Sequence, residues 1–152
     1  MEDFKNTTEE ELFAKRKELA NNIRNNDIPK AKADGEQTLQ HIKDNFSSIS
    51  KEELAGVTLE YSKDVFKFCD YVLTTVRDII QYEPDKKYQK MFMTAAKEYS
   101  KQDSLVNKLE NDSSAYSKGK LLKVLEKQVK RLPELMEFFV TLSEVLTNVL
   151  YS

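Results

Sequence analysis

The stretch KVLEKQVKRLPELMEFF, residues 123–139, decides how the chain is read, because a proline stands at position 133 inside an otherwise strong helical period. From Leu121, alternate steps of four and three reach Leu125, Gln128, Leu132, Leu135, Phe139, Leu142, Leu146 and Val149, an apolar seam with one polar member. The opposite stripe keeps the same step through Lys120, Lys123, Lys127, Lys130, Glu134, Glu137, Thr141, Glu144 and Asn148. A chain that turned at Pro133 would lose phase on at least one face. The pattern therefore predicts one helix over 118–150, kinked at Pro133, where the ring removes a hydrogen bond and crowds the carbonyl of Val129 at a cost of about 3 kcal/mol.

The charges along this helix run against its macrodipole, which favours acids near the N-terminus and bases near the C-terminus. Lys118, Lys120, Lys123, Lys127, Lys130 and Arg131 come first, with only Glu126 among them, and the acids follow. Local helix stability does not explain that order. Either neighbouring helices or a partner supply complementary charges, or the lysines form an ordinary solvated helix face. Beyond Pro133 the segment is apolar nearly all round, which fits either the central helix of a bundle or a self-association or partner surface.

Working outward, the same period returns. Ser50-x-x-Glu53 reads as a capping box, followed by Leu54, Val57, Tyr61, Val65, Phe68, Val72, Val76 and Ile79. This predicts a long helix over 51–82, ended by the bias of Glu83 away from helical geometry before Pro84. Tyr88, Met91, Phe92, Ala95, Tyr99, Val106 and Leu109 carry a third long helix over 85–110, antiparallel to the second because the connection is short. Residues 111–119, NDSSAYSKG, read as a mobile loop. Overlapping capping boxes at Thr7 and Thr8 open a helix over 8–25 with Leu12, Leu19 and Ile23 on one stripe. NNDIP at 25–29 reads as a turn with Asp27 as N-cap, leading into a helix over 28–46 that buries Leu39, Ile42 and Phe46. The expected fold is all-α: a single domain, 1–152, forming an antiparallel bundle of about five helices, three of them long, with 8–25 and 28–46 as a helical hairpin.

Composition agrees with that class. Three Gly and three Pro in 152 residues are sparse punctuation for a sheet protein. A net charge of -2 gives no global field toward nucleic acid or anionic lipid. One cysteine, Cys69, excludes an intramolecular disulfide and a cysteine-rich zinc site and fits a reducing compartment. The first residues, MEDFKNTTEEE, are acidic without an apolar run, and Glu134, Glu137 and Glu144 interrupt the most apolar segment. Neither a secretory signal nor a transmembrane segment is expected, and a cytoplasmic location follows as an expectation.

Catalytic constellations are missing from the pattern. His41 is the sole histidine, so paired Glu-x-x-His motifs and H-E-x-x-H cannot be built. Gly35, Gly56 and Gly119 are isolated, which excludes phosphate-cradling glycine loops. Cys69 sits among Val65, Phe68, Val72 and Val76, the setting of a packed thiol. His41, beside Gln40 and Lys43, reads as a surface residue.

The sequence thus points to a non-enzymatic cytoplasmic interaction module, of adaptor, regulator or inhibitor type, without metal or cofactor. Its expected partner is another protein or a second copy in a homodimer, engaged through Phe138, Val145, Tyr71 and Tyr116. The alternative is a binder of an anionic ligand, nucleic acid or a phospholipid surface, through Lys118, Lys120, Lys123, Lys127, Lys130 and Arg131.

Overall fold

A computed structural model describes residues 8–151. The chain forms α1 (Glu9–Asn22), a π-helical segment (Ile23–Asp27), α2 (Ile28–Asp44), α3 (Lys51–Tyr82), α4 (Lys86–Asn111), a single 3-10 turn (Ser113–Ala115) and α5 (Lys118–Tyr151). No strand occurs among the described residues. The helix starts follow local capping chemistry: the hydroxyls of Thr8 and Ser50 accept from the backbone N–H of Glu11 and Glu53 at 3.2 and 3.0 Å. The second candidate box, at Thr7, lies outside the described residues. Asp85 caps α4 by accepting from Lys87 N at 2.9 Å, which places its start just behind Pro84. The connection from α4 to α5 is tethered, with Lys51 Nζ donating to the Ser114 carbonyl at 3.1 Å.

The expected turn at 25–29 is absent. Asn22, Asp27 and Ile28 keep right-handed helical geometry, and Asp27 makes no capping bond. α1 and α2 therefore form one continuous arm with a π-helical segment in the middle, and they do not fold back on each other as a hairpin; the long elements are four. Two features explain the wide turn. The ring of Pro29 would crowd the carbonyl of Asn25 in a regular α-helix, and a π turn before it relieves that contact. The extra residue also shifts phase, so that Ile28 rather than Asp27 falls in line with buried Ala20.

α5 passes through Pro133 without interruption, and its seam is the axis of the core. Leu121, Leu125, Gln128, Leu132, Leu135, Leu142 and Leu146 are all buried, whereas the lysines and most of the acids of the opposite stripe are exposed. Leu54 of α3 clusters with Leu121 and Leu125, Val65 and Cys69 with Leu132 and Leu135, and Val76 and Ile79 with Leu142 and Leu146. α3 and α5 therefore run side by side in the same direction, and they are the most closely packed pair. Small side chains permit this approach: Thr58, Ser62, Val65, Cys69 and Val76 of α3 are essentially without exposure. Thr58 returns its hydroxyl proton to the Leu54 carbonyl at 2.7 Å, so its burial leaves no orphaned donor.

α4 runs back along α3, and the α1–α2 arm runs back along α5. The arm covers the apolar half of α5, which makes that half the centre of the bundle. The stripe expected of α1 is only partly used: Ala20 is buried but Leu19 is 62% exposed, because among the described helices α1 packs chiefly on α5.

Candidate functional site

The acids of α5 are answered by basic side chains, most of them on neighbouring elements, whereas its five lysines form no ion pair among the described residues. Arg24, on the π-helical segment, donates from Nε to Glu137 Oε1 at 3.1 Å and pairs through Nη2 with Glu144. These bonds, the one to Glu144 foremost, hold the Arg24 pKa above its ordinary value. Arg16 Nε donates to Thr147 Oγ1 at 2.9 Å. At the other end Lys118 Nζ donates to the Phe46 carbonyl at 2.6 Å, placing a cation beside the carbonyl end of α2. Lys43 pairs with Glu126.

What stays open is the space between α4 and α5. Their backbones remain further apart than those of the packed pairs, and a cleft of about 270 Å³ lies between them with α3 as its floor. Cys69 and Val72 come from α3, Met91 and Ala95 from α4, Leu135 and Phe138 from α5. Lys90, Thr94, Glu98 and Arg131 stand at its edges. Arg131 Nε donates to Glu98 Oε1 at 2.9 Å across the cleft, and Nη1 donates to Glu134 Oε2 at 2.9 Å on its own helix. Past that bridge the cleft continues as a polar recess walled by Gln102, Leu105, Val124, Lys127 and Gln128. The ion pair thus divides an apolar half from a polar half.

The apolar half is chemically quiet. The Cys69 thiol is pushed up to about 12 by burial, reinforced by the charge of Glu98, so it is no nucleophile at neutral pH. No group of three or more metal-ligating side chains forms among the described residues. His41 is exposed beside Asn45. The arrangement can hold an apolar side chain between Met91 and Phe138 and present charge at the rim.

Four residues expected to form one interaction surface are spread by the fold. Phe138, 37% exposed, borders the cleft. Tyr71 lies instead in an aromatic cluster with Phe68 and Phe139, its ring 5.5 Å from that of Phe139. Tyr116 is partly buried at the far end of the bundle under Lys108, and Val145 packs into the core with Leu142. The basic face divides too. Arg131 and Lys127 line the cleft, Lys118 is tied to α2, and Lys120, Lys123 and Lys130 are exposed and form no ion pair among the described residues. Phe138 of the first sequence-derived set and Arg131 and Lys127 of the second therefore meet at the same cleft. Met91, Glu98 and Gln102 complete it without having been singled out in the sequence, where they read as ordinary members of helical stripes.

No protein family, curated protein or solved structure matches this chain. No helix among the described residues is long and apolar enough to cross a membrane.

Proposed function

We propose that the protein is a non-enzymatic interaction module that uses the α4–α5 cleft to receive an apolar anchor from a partner protein. The supporting observation is the cleft itself: a recess of about 270 Å³ with apolar walls and a charged rim, the form in which buried anchors at protein interfaces are accommodated. Phe138 and Met91 are its adaptable walls. A cytoplasmic location belongs to this reading and fits the single reduced thiol.

A photo-crosslinking residue at position 138, compared with one at exposed Met93 outside the cleft, tests the reading in cells. A discrete adduct from 138 and none from 93 is expected. Equal or absent labelling at both positions contradicts it.

The second reading is an anion binder, favoured by exposed Lys120, Lys123 and Lys130 without ion pairs among the described residues. Binding to single- or double-stranded nucleic acid that falls steeply with salt would establish it, and salt-independent or absent binding removes it.

A further inference from the structure

We propose that the partner segment is an acidic amphipathic helix, its apolar stripe seated between Met91 and Phe138 and its carboxylates facing lysines on both rims. This rests on the reading of the cleft as a docking site and adds the chemistry of what docks.

Charge complementarity carries the inference. The whole chain has a net charge of -2, yet α4 holds six lysines against Glu98, Asp103 and Glu110, and residues 118–131 hold six basic side chains against Glu126 alone. These two helices carry 12 of the chain's 24 basic side chains, and three of the 12, Lys90, Lys127 and Arg131, line the cleft. Much of the acidic charge near it is already engaged: Glu98 and Glu134 by Arg131, Glu126 by Lys43, Glu137 and Glu144 by Arg24. Lys90 and Lys127 line the cleft, are exposed, and form no ion pair among the described residues. Lys90 thus stands on α4 on one side of the Arg131–Glu98 bridge and Lys127 on α5 beyond it, so that the groove presents one such cation near each end for the carboxylates of a partner.

Shape selects a helix. The recess lies along two helices over an apolar floor, and it continues past the Arg131–Glu98 bridge into the polar recess at Gln102 and Lys127. A third helix laying an i, i+3, i+4, i+7 stripe into such a groove is a recurrent recognition mode. A bilayer is a poorer fit, because membrane-surface helices present their apolar side chains outward, whereas here they are recessed between α4 and α5.

Two synthetic 20-residue peptides with leucines on the same helical stripe, one flanked by Glu and one by Lys, are titrated against the full chain by fluorescence anisotropy. Vesicles containing phosphatidylserine are measured in parallel. The acidic peptide is expected to bind and the basic one not. Lys90→Glu together with Lys127→Glu, both at exposed positions and checked for fold by circular dichroism, is expected to weaken acidic-peptide binding at least about tenfold, and Phe138→Glu to abolish it. Binding of the basic peptide as tight as that of the acidic one overturns the charge assignment while leaving the cleft as a docking site. Failure of both peptides overturns the docking site as well. Vesicle binding that exceeds peptide binding, or charge reversals without effect, overturns the proposal.

Discussion

Gln128 of α5 and Gln102 of α4 face each other inside the bundle, with Gln128 Nε2 donating to Gln102 Oε1 at 2.7 Å and Gln102 Nε2 returning a bond at 3.4 Å. Gln128 also donates to Ser62 Oγ of α3 at 3.2 Å, so one side chain ties three helices together. It is the single polar member of the α5 seam, and it is 3% exposed. A buried amide with partners fixes register, because a slipped helix would leave those partners unsatisfied.

Replacing Gln128 by Leu strands Gln102 in the core, and urea unfolding is expected to show a loss of about 1–3 kcal/mol. The double variant Gln102→Leu, Gln128→Leu removes both sides of the pair and should regain a measurable part of that loss. A double variant less stable than the sum of the singles would show that the amides do more than satisfy each other.

Gly35 on α2 is held by Tyr61 on α3. A Cβ at Gly35 would stand 2.5 Å from the Tyr61 hydroxyl and 3.1 Å from Val129 Cγ1. Gly35→Ala is expected to lower stability by about 1–3 kcal/mol through overpacking, although alanine is the better helix former. Gly56, where the same added atom meets nothing within 4 Å among the described residues apart from its own helix backbone, should gain up to about 1 kcal/mol from the same change. The Tyr61 hydroxyl is buried with no hydrogen-bond partner among the described residues, so Tyr61→Phe should cost little and should rescue part of Gly35→Ala. Equal responses at Gly35 and Gly56 would contradict the close approach of α2 to α3.

Stability should fall in alkali. Burial pushes Tyr61 up to about 12 from 10, with Asp64 and Asp34 adding to it, and pushes Cys69 up to about 12 from 9. In both cases the folded state holds a proton that the unfolded state releases first. Their contributions are present in full below pH 9 and are lost as pH rises from there through about 12. Urea midpoints should therefore be flat with respect to these two groups up to pH 9 and decline above it, and Tyr61→Phe with Cys69→Ala should flatten the decline. A disulfide reagent at pH 8 should label Cys69 only as fast as the protein opens; rapid labelling of the native state would contradict its burial.

Arg24 is 35% exposed, as a side chain, where it meets Glu137 and Glu144. Exposed pairs contribute little, so Arg24→Ala should cost no more than about 1 kcal/mol. Its effect should concentrate on the contact of the arm with α5, visible as faster amide exchange in α1 with α3 unchanged. Uniform acceleration over all helices would mean that the arm is part of the global folding unit.

Self-association is expected to be dispensable. The arm and α3 cover most of the apolar half of α5, leaving Phe138 and Leu150 as its exposed large apolar side chains, each at 37%. Light scattering should give the mass of one chain, 17.7 kDa, at low and moderate salt. A stable dimer would assign Phe138 to a contact between copies instead of to a partner.

The long helices were legible in the sequence because each obeys one strong rule at a time. The seam of α5 kept phase through Pro133, Ser50 capped α3, and Pro84 ended it. Two kinds of feature were not legible. The π-helical segment reads as a turn because Asn25, Asn26, Asp27 and Pro29 are turn formers one by one, whereas its attachment to α5 is made by Ile23 and Arg24, which carry no turn signal. The cleft was hidden because its parts come from three helices, each reading as a plain amphipathic stripe. Nothing local states that α4 and α5 stand apart while α3 and α5 close on Thr58, Ser62 and Cys69. The charge reversal on α5 was the visible trace of that arrangement: Glu137 and Glu144 face Arg24, and part of its basic stretch borders the open side.

Methyl resonances of Val72, Met91 and Leu135, followed by NMR while the acidic peptide is added, test the role of the α4–α5 cleft most directly. Saturable shifts at these three, with Leu19 and the methyls of the α1 face unmoved, are the expected result. Shifts confined to the Tyr71 and Phe139 side of the bundle, or no shifts at peptide concentrations that bind by anisotropy, would place the interaction surface elsewhere.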